Sequence, residues 1–477
     1  MRDVNIKRLL LVCAALLLIL ALTLPLVGCG KTAPSSEPPK EPEETPAAAE
    51  ETPPAELRLG SLVVSPDAES LDLTGTGATL EDLMSLSGKL DSVREISLGV
   101  TEARIDQLRA VEAAFPQAEV SWKVALPGGE VDGNAQSVDL SAATDADLKG
   151  IIASFSLLPE LKTLVLAPED GVTALSFESL AALAEAAPEL ELNCRFELFG
   201  QTADWTTEKL KYYKTEVGNE GIDLFREALP YLRSLKLLRL ESCGIDDYDK
   251  MDALRSDFPQ TEVVWSIPIA GQIFMTDTTL INDGDTGILS DSNVYLLQYM
   301  HDVLYLDLGH YKHLTNIEFV RNFPKLQVLI LTLSQIGDLS PLENCYDIEF
   351  IECHGTPIGD ISVLADKDKL EYLNIANMPN LTDLSPLYGL KQLKIVRICG
   401  TTFTHISKED VERLKEELPD TYVSDYGGDP NSSGGWRFEV NGDKSRPTER
   451  YKLLREQMRY DLPMWERLSS SPSGEED

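Results

Sequence analysis

Basic residues are scarce in this chain. Among 477 residues, 42 lysines and arginines stand against 79 aspartates and glutamates, a formal net charge of −37. So acidic a surface repels phosphate backbones and anionic headgroups, and nucleic acid is not expected as a partner. Cysteine is rare too, seven in all with no C-x-x-C pair. Beyond Cys13 and Cys29 these are Cys194, Cys243, Cys345, Cys353 and Cys399, an odd set in which no disulfide framework or metal spacing is visible. Histidine is scarcer still: His301, His310, His313, His354 and His405. No H-E-x-x-H, G-x-S-x-G or P-loop occurs, so no catalytic residue, metal or cofactor is proposed from motifs. The adjacent Glu352 and His354 are a commonplace strand pair rather than a catalytic one.

What the chain has in quantity is repetition. Residues 303–423 carry an L-x-x-L-x-L line in register: Leu326, Leu329 and Leu331; Ile348, Ile351 and Cys353; Leu370, Leu373 and Ile375; Leu393, Val396 and Ile398. The first residues of these lines lie 22, 22 and 23 apart. Val303, Leu306 and Leu308 look like a weaker earlier copy. A second word keeps phase with the first, at Asp338 to Leu342, Asp360 to Leu364 and Asp383 to Leu387. This period and core pattern are those of leucine-rich repeats, and the stretch resembles the internalin type.

The resemblance implies an α/β fold: a leucine-rich repeat solenoid whose parallel sheet lines a concave face. No single coil can bury its apolar side, so stacked coils share one core. Residues between the inward ones face the open side. On that rule Tyr305, Asp307, Val328, Ile330, Phe350, Glu352, His354, Tyr372, Asn374, Ile395 and Arg397 form one continuous patch, with Thr332 and Cys399 beside it. Exposed apolar area rimmed by polar groups marks a protein interface, and these are the candidate partner-binding residues. Coverage by the chain's own tail, or plain β-propensity at Val328 and Ile330, is the competing reading.

The N-terminal half repeats at a longer period. Phe115, Ala187 and Phe258 each precede a proline and a strand-like run, at steps of 72 and 71 residues. Strand lines lead each copy, such as Ile96 to Leu98, and between line and proline runs a helical pattern, as at Ile105, Leu108, Val111 and Ala114. Residues 59–275 therefore read as leucine-rich-like units of about 71 residues with helices on the convex side. A row of three small α/β modules also fits; a continuous or slightly broken solenoid is preferred because the strand lines match those downstream. Leu418-Pro419 echoes the same word and reads as the C-terminal cap of the 303–423 repeats. Residues 276–302 read as a connecting segment; its Asn282-Asp283-Gly284-Asp285 stretch lacks the carboxylates a calcium loop needs.

The ends differ in character. Residues 1–28 have a basic head and an uncharged apolar run, and Leu26-Val27-Gly28-Cys29 resembles the lipobox of bacterial lipoproteins, in which Cys29 is lipidated. An uncleaved membrane anchor fits the same run. Either places the remainder outside the cytoplasmic membrane. Without residues 1–28, which hold three basic and one acidic residue, 39 basic face 78 acidic residues, a net −39. Residues 29–58, rich in Pro and Glu, cannot bury a core and read as a disordered tether, reaching up to about 80 Å at ~3.1 Å per residue. Residues 424–477 form a tail, partly disordered. Basic and aromatic residues gather in it, and Leu453, Leu454, Met458 and Leu462 suit a short helix folding back on the body.

The function that follows is a lipid-anchored, extracytoplasmic, non-catalytic module that binds an unknown protein or cell-surface polymer and is monomeric. An envelope enzyme with an unfamiliar site in 59–275 is the alternative. A two-lobed solute receptor fits a one-dimensional stack poorly.

Overall fold

Proline sets the length of three helices in the N-terminal half. A residue before proline is driven out of the α region, and Phe115, Ala187 and Phe258 close their helices with ψ of 62°, 77° and 64°. The N–H groups of Ala118, Leu190 and Thr261 then bond back to those three carbonyls at 2.9, 3.0 and 2.9 Å, and the chain leaves as a strand. One local device thus recurs at the long period.

The computed structural model describes residues 57–283, 287–398 and 405–463, and the backbone of Ser469 and Ser470. The leader, Cys29 and most of the tether lie outside the described residues, as does Cys399. Among the described residues no helix is long and apolar enough to cross a membrane. The first element is a hairpin of β1 (Leu57–Leu59) and β2 (Leu62–Val64), which begins two residues inside the stretch read as tether.

Three modules follow. In the first, β3 (Ser70–Asp72), β4 (Glu95–Val100) and β5 (Glu119–Leu126) run parallel, and β6 (Gly129–Asp132) returns antiparallel along β5. In the second, β7 (Ser137–Asp139), β8 (Thr163–Val165) and β9 (Glu191–Asn193) run parallel and lead into a hairpin of β10 (Arg195–Leu198) and β11 (Gln201–Asp204). In the third, β12 (Lys209–Tyr213), β13 (Leu237–Glu241) and β14 (Glu262–Ile269) run parallel, with β15 (Gln272–Met275) folded back. Each parallel step crosses through a helix: α1 (Leu80–Met84) and α2 (Ile105–Ala114), α3 (Leu148–Ser154) and α4 (Phe177–Ala186), then α5 (Gly218–Ala228) and α6 (Tyr248–Asp257). The last two hairpins turn through Phe199-Gly200 and Ala270-Gly271, with φ of 49° and 83°, then 49° and 85°. Positive φ at both central residues is the turn whose twist suits a tight hairpin.

Those hairpins break the sheet, so the N-terminal half has three separate parallel blocks. Its core is less divided. One apolar cluster runs from Leu108 to Val423, and a second, from Leu59 to Val120, belongs to the first module. Broken sheet and shared core together reconcile the two architectures that the sequence allows.

The strand rows then become continuous. β16 (Leu280–Asn282), β17 (Tyr305–Asp307), β18 (Val328–Ile330), β19 (Phe350–Glu352), β20 (Tyr372–Asn374), β21 (Ile395–Arg397) and β22 (Tyr422–Ser424) pair in parallel. β16 falls within 276–302, so the stretch read as a connector in fact supplies the first strand. α7 (Lys408–Glu417) ends at Leu418-Pro419 and delivers β22. The middle residues, Ile281, Leu306, Leu329, Ile351, Leu373 and Val396, are fully buried, each stabilising the fold by roughly 1.5–3 kcal/mol. On the convex side the second word makes short 3₁₀ turns. Asp338, Asp360 and Asp383 each accept the N–H of the serine two residues on at 2.8 Å, and Leu342, Leu364 and Leu387 enter the core. This is a leucine-rich repeat solenoid.

Candidate functional site

Strand register aligns the outward residues in two columns. Leu280, Tyr305, Val328, Phe350, Tyr372, Ile395 and Tyr422 form one; Asn282, Asp307, Ile330, Glu352, Asn374, Arg397 and Ser424 form the other. The residues read as facing the concave side stand there, with His354 just beyond β19. The side itself is not open, and that expectation is corrected. Asp307, Val328, Ile330, Phe350, Glu352, His354, Asn374 and Arg397 are buried, while Tyr305, Tyr372 and Ile395 are half-buried. Residues 425–463 lie across them as a strap.

Apolar contacts hold the centre of the strap. Its helix α8 (Glu449–Gln457) starts at Thr448, whose hydroxyl oxygen accepts the N–H of Tyr451. Leu454 and Met458 join Leu280, Val328, Ile330, Phe350 and Trp436 in one cluster. Of the four residues read as the helix stripe these two dock; Leu453 and Leu462 are exposed. The Trp436 ring lies 5.2 Å from that of Phe350, and the Arg450 guanidinium sits 4.7 Å from Phe350 and 5.5 Å from Tyr372.

Polar contacts fix the register. The Glu352 carboxylate is 0 % exposed; it accepts the Trp436 indole N–H at 2.6 Å, the Arg437 guanidinium at 2.6 Å and the Thr332 hydroxyl at 2.9 Å. Burial pushes this carboxyl up, but Arg437 and the indole outweigh it and hold it below the ordinary glutamate value. For Asp307 burial prevails and the pKa is raised, although the Tyr460 hydroxyl donates at 2.5 Å and Gly309 N–H at 2.9 Å. The Asn282 amide donates to the Met458 carbonyl at 2.6 Å and Asn374 to that of Pro430 at 3.3 Å. Arg397 donates to the carbonyls of Ser424 and Tyr426 at 3.1 and 2.6 Å. His354 is held neutral by burial, against the pull of Glu352, and neither ring nitrogen has a hydrogen-bond partner among the described residues.

Between sheet and strap remains a polar cavity of about 240 Å³, lined by Asn282, Asp307, His310, Glu352, Arg437 and Tyr460 among others. Its two carboxylates already accept protein donors, which suits recognition better than acid–base work. The Cys353 thiol nearby is pushed up to about 12 by burial, as are those of Cys194 and Cys345, so none is a nucleophile at neutral pH. Among the described residues no three His, Cys, Asp or Glu side chains gather to hold a metal. Arg437 escapes a sequence reading entirely. Trp436 and Tyr460 are visible only as part of a basic, aromatic tail on an acidic chain.

No known family profile matches this chain, and no curated protein matches it in sequence. Solved structures similar to it are leucine-rich repeat proteins. Internalin C2 from Listeria monocytogenes is 26% identical over 40% of this chain and 80% of its own, with a TM-score of 0.24. A second internalin from that organism is 16% identical over 74% and 85%, with a TM-score of 0.26. A leucine-rich repeat protein from Leptospira interrogans is 14% identical over 70% and 91%, with a TM-score of 0.29. Superposition this loose adds nothing to the fold assignment, which rests on the repeat register described above.

Proposed function

We propose that this protein is a non-catalytic binding scaffold, anchored by lipid at Cys29 and displayed outside the cytoplasmic membrane, whose 280–424 sheet face takes up a protein or cell-surface polymer. One observation carries the reading: that face already holds a polypeptide segment, residues 425–463, through aromatic stacking, cation–π contacts and a buried ion pair. Aromatic and arginine anchors of this kind concentrate binding energy at interfaces. Tyr305, Tyr372 and Ile395 remain partly accessible with the strap in place; the buried members of the patch meet a partner only when it moves. The enzyme alternative gains little from the 59–275 region. The hollow on the first module's sheet is lined by Ser70, Asp72, Glu95, Ser97, Glu119 and Ser121, and its three carboxylates stand exposed.

Two measurements test the proposal. The wild-type chain should sediment with membranes and incorporate labelled palmitate, and Cys29→Ala should incorporate none; a wild-type chain that takes up no label refutes the lipid anchor. A photo-crosslinking residue at Tyr305 or Tyr372 should trap a discrete envelope or host partner on intact cells. Adducts formed only from positions remote from the 280–424 sheet would move the binding surface elsewhere.

A further inference from the structure

We propose that residues 436–460 are a displaceable internal ligand, and that the groove beneath them selects a partner polypeptide segment presenting an indole beside a guanidinium. This deepens the binding reading above and rests on it.

Glu352 is the recognition point. It belongs to the sheet, has no exposed surface, and receives both of its strap donors from two consecutive residues, Trp436 and Arg437. Removing one partner of a buried ion pair leaves an uncompensated charge and is strongly destabilising. The groove is therefore built for an occupant that brings those donors together; without one, Glu352 must be wetted. A second cation site lies beside it, where Phe350 of β19 and Tyr372 of β20 present ring faces to Arg450. A guanidinium over an aromatic face is attracted by the ring quadrupole, so the platform favours a cationic side chain.

Charge points the same way. Residues 436–460 contain seven basic and four acidic residues within a chain of net charge −37. The occupant is thus the basic counterpart of an acidic body, and a basic, aromatic segment on another molecule is drawn to the same place.

The strap is also built to leave. Gly427 and Gly428 are exposed just after β22, at the strap's point of departure. Its buried apolar side chains are only Trp436, Phe438, Leu454 and Met458, and a 240 Å³ polar hollow separates part of it from the sheet. With fewer apolar contacts than the coils make, the strap opens before they do. Core coils, each locked by inward Leu, Ile or Val, stay closed when it opens.

The experiment uses the full chain and a fluorescein-labelled peptide with the sequence of residues 436–460. Wild type should bind the peptide weakly, because its own strap competes at high effective concentration. The double variant Trp436→Ala, Arg437→Ala should bind it at least tenfold more tightly. Adding Glu352→Gln should remove that gain, and a peptide with alanine at both anchor positions should not bind. Hydrogen exchange read in parallel should show β17 to β21 still protected in the double variant. No gain in peptide affinity with those strands protected overturns the proposal. Loss of their protection overturns it too, because the strap is then part of the fold. Exchange of straps between copies without uptake of free peptide would assign the groove to a second copy of this chain and overturn the partner assignment. Peptide binding without any crosslinked partner on cells would fault the cell-surface reading alone, so the two failures are distinguishable.

Discussion

The sheet face of the first module and that of the 280–424 solenoid are built from the same kind of parallel rows, yet one is bare and the other covered. Outward positions on β3, β4 and β5 carry Ser70, Asp72, Glu95, Ser97, Glu119 and Ser121, which water solvates well. Of the two matching columns downstream, the first carries Leu280, Tyr305, Val328, Phe350, Tyr372 and Ile395. Bare, that column would be a contiguous apolar patch of the sort that soluble monomers rarely leave open. The difference teaches that outward side-chain chemistry, more than strand pattern, decides whether a repeat face stays free. A face that is apolar with acidic inserts calls for an apolar, basic cover, and the chain supplies one.

Substitutions can break this contrast, beginning with the largest effect. Glu352→Ala should cost about 3–5 kcal/mol, because Arg437 and Trp436 lose their buried partner. The loss should be read as hydrogen exchange spreading through residues 436–460 while the inward rows keep their protection. Leu373→Ala should cost about 2–5 kcal/mol by opening a cavity. Leu164→Ala in the second module should fall in the same range, since both residues are buried in the shared cluster; a small loss at one only, in urea titrations, would show that the two regions do not share a core.

A third test concerns Asp283, at the edge of the covered face. Burial raises its pKa from 3.8 to about 7, aided by Asp307 and opposed by the Leu289 N–H; the Tyr311 hydroxyl donates to it. The folded state therefore holds this proton more tightly than the unfolded state. Its contribution is full below pH 3.8 and is lost as pH rises through about 7. Asp283→Asn should flatten that loss, gaining on the order of 4 kcal/mol over wild type at pH 8 and little at pH 4. Denaturant midpoints at the two pH values check it. The smallest effect belongs to the bare face: Glu95→Ala should change stability by less than about 0.5 kcal/mol, and a larger shift in its denaturation midpoint would mean that this face, too, has an occupant.

Much of this was legible beforehand, for local reasons. The 22- to 23-residue lines and the Asp-x-Ser turns specify coil after coil, since each coil needs only its neighbours to bury its leucines. The proline words of the N-terminal half and at Leu418-Pro419 likewise act within a few residues. β16 was missed because Ile281 stands 25 residues before Leu306, off the later spacing, and no leading line announces it. The columns of the candidate site followed from strand alternation. Their burial did not. Glu352 and Trp436 are 84 residues apart, Asp307 and Tyr460 153, and Asn282 and Met458 176, separations that no short-range periodicity encodes.

By itself the sequence determined a stack of coils with leucine-type interiors, an acidic exterior and two columns of outward side chains, because period and alternation are properties of neighbouring residues. Only tertiary structure decided that the hairpins would split the first sheets and that the last residues would return over the columns. The reason is physical: a buried carboxylate and an apolar ladder state what a cover must offer, but which distant segment supplies it is settled when the chain closes on itself.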